Sequence, residues 1–167
     1  MEKTDVYYFH QTPENLAKDL IQTLDIKEGD VLYEPFRGEG SFYNHFPQTN
    51  PKYWSEILEG KDFKDHVGDY DWVITNPPFR LETGEKRVNS FWYTLQYFMS
   101  RATKGIAFLA NDVCFCTLTP KRLSELKTLG WGITNITVCA VKKWRGRYFF
   151  IVFEKKPTFY KYLIGNY

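Results

Sequence analysis

The chain has 167 residues, 43% hydrophobic, 19% aromatic and 25% charged, which suits one globular domain with its own core and excludes a disordered polymer. No apolar run approaches the ~20 residues that span a bilayer, and the start Met1-Glu2-Lys3-Thr4-Asp5 lacks the basic-then-apolar order of a secretory leader, so no membrane association is expected. A net charge of +2 does not by itself announce a nucleic-acid-binding protein, and Cys114, Cys116 and Cys139 sit in apolar runs without ligand spacing, which predicts buried, reduced thiols in the cytosol or nucleus and no metal site.

In chain order, the aromatic-rich segment Tyr7-Tyr8-Phe9-His10-Gln11 leads into Thr12-Pro13, where Thr12 can cap a helix that carries Leu16, Leu20 and Leu24 on one face. From Gly29 a hydrophobic strand runs into Glu34-Pro35-Phe36-Arg37-Gly38-Glu39-Gly40. The glycines permit a tight turn and let backbone N–H groups approach a ligand at the start of a short helical stretch that Pro47 stops. A third glycine of the dinucleotide fingerprint is absent, since Tyr43 stands in its place, and nicotinamide chemistry is disfavoured.

Lys52 to Ile57 reads as a second strand ending in an acid. Glu56 follows Gly38 at close to the ~20-residue interval of an acid that accepts from two ribose hydroxyls in such folds. Gly60-Lys61-Asp62-Phe63 follows. Asp71 to Thr75 is a strand buried on both faces that stops at Asn76-Pro77-Pro78-Phe79. Two prolines remove two backbone donors, so the corner is left mostly with acceptors, the Asn76 side-chain oxygen and nearby carbonyls, beside an aromatic ring. Such a corner suits a planar NH2 group.

Arg80 to Arg87 is polar and aperiodic, a loop that either closes over a substrate or merely connects. Phe91, Leu95, Phe98, Met99 and Ala102 form one face of a helix, Gly105 to Ala110 a strand, and Thr119-Pro120 starts a helix that Gly130 ends. Two β runs, Ile133 to Val141 and Tyr148 to Phe153, are joined by Lys142-Lys143-Trp144-Arg145-Gly146-Arg147 and must be antiparallel. If the first is parallel to the strands ending at Phe36 and Asn76, this basic turn shares their rim. It then meets phosphates and a base, or it is a solvated tip that protects the sheet.

Asn76-Pro77-Pro78-Phe79 resembles the catalytic tetrapeptide of S-adenosylmethionine-dependent amino-methyltransferases acting on adenine N6 or on a protein glutamine amide. Glu-Pro-Phe-x-Gly-x-Gly is similar to the first cofactor motif of class I methyltransferases, in the version found in DNA adenine methyltransferases, and Glu56 and Asp62 fall where that family holds ribose and adenine. The resemblance implies a three-layer α/β/α Rossmann-like fold, a mostly parallel seven-stranded sheet ending in an antiparallel hairpin. It implies S-adenosyl-L-methionine as cofactor, held by Thr12, Glu34, Phe36, Gly38, Gly40, Glu56, Ile57, Asp62, Phe63 and Asn76. It assigns catalysis to Asn76, Pro77 and Phe79, and substrate binding to Pro78, Phe79, Lys142, Lys143, Trp144, Arg145 and Arg147. The expected substrate is adenine in DNA, then in RNA, then a protein glutamine, with a non-catalytic subunit as the contrasting class. Sequence-specific DNA methyltransferases of this kind carry a target-recognition domain for which the chain leaves no room, so the loops or a protein partner would read the target.

Overall fold

The computed structural model describes residues 10–79, 81–83, 86–87 and 89–164. Its helices and strands are α1 (Glu14–Gln22), β1 (Leu32–Glu34), β2 (Lys52–Trp54), β3 (Tyr70–Thr75), β4 (Glu82–Thr83), β5 (Lys86–Arg87), α2 (Ser90–Met99), β6 (Ala102–Asn111), α3 (Asp112–Phe115), α4 (Pro120–Thr128), β7 (Gly132–Cys139) and β8 (Tyr148–Glu154). Among the described residues the main sheet has six strands in the order β2-β1-β3-β6-β8-β7. The expectation of seven strands is corrected here: β2 is an edge. The pairs β2–β1, β1–β3 and β3–β6 are parallel, and β8 is antiparallel to both β6 and β7. Strand β7 therefore points the same way as β1 and β3, as the location of the basic turn requires.

Successive residues of the central strands alternate between two apolar layers, the signature of a sheet covered on both faces. Tyr33, Val73, Ile106, Phe108, Ile151 and Phe153 face the α2 side, where they meet Phe91, Leu95 and Phe98. Leu32, Trp72, Ile74, Ala107, Leu109 and Phe150 face the α1 side and pack against Ala17, Leu20 and Ile21. No helix among the described residues is long and apolar enough to cross a membrane.

Several boundaries differ from the expected ones. The strand at Lys52 stops at Trp54, because Glu56 turns the chain by accepting from the Leu58 N–H. Ala102 opens β6 rather than closing α2, and the polar stretch after the corner holds the two-residue antiparallel pair β4–β5, with Arg80, Gly84 and Glu85 outside the described residues. The helical stretch after Gly40 is a single 3-10 turn, Tyr43–His45. Cys139 is buried, Cys114 is half-buried and Cys116 is exposed, so the expectation of three buried thiols fails at the last of these.

Gly105 lies opposite Trp72 across the β3–β6 pair, and an added Cβ would run into the indole. Trp72 is 2% exposed and its Nε1 donates to Asp30, so the ring has nowhere to go. Gly105→Ala should cost ~1–3 kcal/mol by overpacking. Urea unfolding checks this, and the same change in a Trp72→Leu background should cost clearly less.

Candidate functional site

The glycine turn leaves the carboxyl end of β1. Its Arg37 N–H donates to the Ser55 carbonyl (3.0 Å), extending the β1–β2 pairing past the last strand residue. Gly38 and Gly40 have φ of 53° and 92°, a region that side chains disfavour, and a Cβ on Gly40 would lie 3.2 Å from Asn44. The turn is tied to Glu56: its Oε2 accepts from the Gly38 N–H (2.7 Å) and its Oε1 from the Leu58 N–H (3.1 Å). Each carboxylate oxygen has more than one lone pair, so both retain capacity to accept from a ligand. Beside it Ile57 is 59% exposed, an apolar side chain held out at the rim.

Asp62 caps the next 3-10 turn, its Oδ1 accepting from the Lys64 N–H (3.0 Å), while its other oxygen receives no donor among the described residues. Phe63 is buried, edge-on to Phe36 at 5.0 Å and packed on Tyr97 and Phe98. It clamps the glycine turn to the Asp62 segment from beneath. Glu34, at the end of β1, is 2% exposed and accepts from the Tyr43 N–H (2.7 Å). Burial pushes its carboxyl well above the ordinary range, the Tyr43 bond and Arg37 opposing and Glu56 adding to the rise.

The second turn leaves β3, the parallel neighbour of β1. The Asn76 Nδ2 donates to the His10 carbonyl (3.1 Å) and to Thr12 Oγ1 (3.3 Å). A backbone carbonyl can only accept, which fixes the amide with its nitrogen toward His10. No group among the described residues donates to Asn76 Oδ1 or to the Pro77 carbonyl. The Pro78 carbonyl, by contrast, accepts from Ser90 Oγ (2.9 Å), which anchors the corner to the start of α2. Phe79 is half-buried and meets His10 edge-on, ring centres 5.8 Å apart.

Thr12 does not cap α1, whose first turn has no side-chain cap. It is buried between the two turns instead: its hydroxyl serves Asn76, and its carbonyl accepts from Ser41 Oγ (2.6 Å). Gln11 adds a bond from its Nε2 to the same Ser41 oxygen (2.5 Å). The basic turn joins this assembly, since Trp144 lies 5.8 Å from His10 and 4.4 Å from Tyr148 between ring centres. Its indole is half-buried there, while Lys142, Lys143, Arg145 and Arg147 are exposed.

The structure thus brings Thr12, Glu34, Gly38, Gly40, Glu56 and Asn76 to one edge, with Pro77 to Phe79 and the basic turn beside them. Sequence reasoning missed His10, Gln11, Ser41 and Ser90 as the groups that tie the turns together. A hydroxyl directly after Gly-x-Gly was a readable hint at Ser41; nothing local marked Ser90 as a partner of Pro78.

No sequence-family profile matches the chain, and no curated protein matches it. Solved structures do. A candidate class I S-adenosylmethionine-dependent methyltransferase from Listeria monocytogenes superposes with a TM-score of 0.62 at 12% identity, over 89% of this chain and 60% of that one. A modification subunit of a candidate type I restriction enzyme from Vibrio vulnificus gives 0.64 at 15%, over 93% and 46%. A candidate RNA methyltransferase from Pyrococcus horikoshii gives 0.60 at 17%, over 90% and 89%. The fold is that of class I methyltransferases. The chain spans 60% and 46% of the first two of these structures.

The raised Glu34 carboxyl makes a pH prediction. The folded state keeps a proton that the unfolded state loses near its ordinary value of 4.5, so stability falls as pH rises from there through the raised folded value. Glu34→Gln keeps an acceptor for Tyr43 but cannot ionise. It should flatten that slope and be the more stable form at neutral pH, read by denaturant unfolding across pH.

Proposed function

We propose that this chain is an S-adenosylmethionine-dependent methyltransferase that modifies the N6 amino group of adenine in a nucleic acid, DNA ahead of RNA. The observation that carries the reading is the Asn76 amide, whose nitrogen is tied to His10 and Thr12 while its oxygen takes no donor among the described residues, at the end of the strand beside the one that leads into the glycine turn. The residues fit the donor. Gly38 and Gly40 present backbone without side chains, Glu56 offers paired oxygens for vicinal hydroxyls, Ile57 offers an exposed apolar surface for a purine, and Asp62 offers an oxygen for its amine. When bound, S-adenosylmethionine would supply an electrophilic methyl on sulfonium.

On this reading the protein's own work is positioning. Asn76 Oδ1 and the Pro77 carbonyl accept the two amino hydrogens, which draws the nitrogen lone pair out of conjugation with the ring and toward the methyl. Phe79 stacks on the base, and the closeness of the two turns replaces a bimolecular encounter with a held geometry. A target base in a duplex must first leave the stack, at a cost of a few kcal/mol. The exposed cations of the Lys142–Arg147 turn would hold the flanking phosphates. The Glu34-Pro35-Phe36 motif and the likeness to a restriction-modification subunit support DNA as the polymer. A partner subunit that reads the target fits the same picture.

Asn76→Ala should abolish transfer while leaving donor affinity by calorimetry within a fewfold of wild type. Asn76→Asp keeps an acceptor in the cleft but sets a second oxygen against the His10 carbonyl, so it too should lose most activity. Label from donor methyl, followed into parallel pools of DNA, RNA and protein, tests the substrate class. Label in protein alone would overturn the adenine reading.

A further inference from the structure

Strand β7 carries cations at both of its ends. The Lys142–Arg147 turn lies at its carboxyl end, on the rim of the proposed cleft. At its amino end a second cavity of about 630 Å³ opens between α4 and the segment that follows β8. Leu123, Leu126, Trp131 and Ile133 form its floor, Tyr160 and Tyr162 its side, and Lys127, Lys155, Lys156 and Lys161 its edge; no acidic residue lines it. Lys156 pairs with Glu154 at 2.8 Å, whereas Lys127, Lys155 and Lys161 make no ion pair among the described residues.

These lysines stand on fixed backbone. The segment after β8 crosses directly over Gly132, where a Cβ would come within 2.5 Å of the Lys156 carbonyl oxygen and the Thr158 nitrogen. Thr158 Oγ1 (3.2 Å) and the Phe159 N–H (3.3 Å) both donate to the Ile133 carbonyl. Between the two basic ends, β7 is an edge strand without a charged residue. Its eight residues separate them by roughly 24 Å at ~3.4 Å per residue, or about seven phosphate steps of a strand with ~3.4 Å rise.

We propose that this groove is a second anchor for nucleic acid, holding the backbone of the sequence that flanks the target along the β7 edge. The proposal rests on the nucleic-acid reading of the cleft and extends it. Two basic sites on one edge, with nothing charged between them, are reached together by a long and regularly charged polymer. Lysine ammonium groups bind phosphate as point charges. The tyrosines offer faces to unpaired bases.

The test is fluorescence anisotropy of the full chain with labelled DNA and RNA oligonucleotides, some long enough to bridge both sites (roughly ten steps or more at ~3.4 Å each) and some too short, across a range of salt. The combined variant Lys127→Gln, Lys155→Gln, Lys161→Gln removes the three charges and keeps the first half of each aliphatic stem. It should bind the long probe at least about tenfold more weakly, with a salt slope reduced by about two at ~0.7–0.9 per phosphate contact. Affinity for the short probe and for the methyl donor should stay at the wild-type level. Should the combination fail to fold, Lys161→Glu alone carries the same expectation in weaker form. If the groove variants bind the long probe like wild type while neutralising Lys142, Lys143, Arg145 and Arg147 abolishes binding, the groove proposal falls and the substrate reading stands. Wild type that binds neither polymer sinks both, and a polyglutamate peptide that occupies the groove in preference to the oligonucleotides assigns it to an acidic protein instead.

Discussion

Everything at the candidate site depends on β1 and β3 lying side by side, parallel and in one register. Asp30 secures it from the far end of the sheet. Its Oδ2 accepts from the Lys27 N–H (2.9 Å) and Trp72 Nε1 (3.1 Å), its Oδ1 pairs with Lys104, and its carbonyl accepts from Asn50 (2.9 Å). One carboxylate thus touches side chains from β3 and β6 and sits just before β1. Asp71 repeats the device, accepting from the Val31 N–H at 2.9 Å and from Thr103. Burial opposes the charge on Asp30, yet its hydrogen bonds to Lys104, Lys27 and Trp72 outweigh that and hold the carboxyl below its ordinary value. A one-residue slip would break these bonds and would also turn Trp72 and Val73 to the wrong layers. With the register fixed, the turns after Glu34 and Thr75 emerge at the same edge, where the open crevice of a parallel sheet lies.

A second constraint acts across that edge. Residues 10 to 12 bond to the glycine turn through Ser41 and to the double-proline corner through Asn76, and His10 packs on both Phe79 and Trp144. The segment before α1 therefore ties the glycine turn, the double-proline corner and the basic turn together. Such bridging turns two loops into one surface, because a displacement of either breaks bonds in the same strap.

What could be read from the sequence follows from how local each signal is. The strand-then-corner at Asn76, the Gly38 and Gly40 turn and the antiparallel β7–β8 pair are set by proline, glycine and β-branched runs that act within a few residues, and the fold agrees with all of them. The edge position of β2 was not legible, since a three-residue strand looks alike with or without an outer neighbour. Thr12 misled for a similar reason: Thr-Pro before a helix is a good cap pattern, but the hydroxyl found a better partner in Asn76, 64 residues away. The resemblance assigns Phe63 to the cofactor, and only the fold shows that its ring is buried and supports Phe36. Long-range side-chain bonds leave no local trace.

The corner's chemistry is decided by what it cannot offer. Pro77 and Pro78 have no N–H, and turning the Asn76 amide over would set its oxygen against the His10 carbonyl and give up that bond, while the Thr12 hydroxyl could turn to donate instead. At ~1 kcal/mol for the His10 bond, before any repulsion between the two oxygens, the flipped form is disfavoured by a factor on the order of 5. The corner itself accordingly presents acceptors more often than donors. On the proposed reading, a group that brings two N–H bonds in one plane would satisfy both oxygens. A carbonyl, an ether or an anion placed there would leave them unpaired and desolvated, at ~1–3 kcal/mol each. On the proposed reading, preference for an exocyclic amine would begin with the backbone and the Asn76 amide, before any aromatic ring or phosphate contributes.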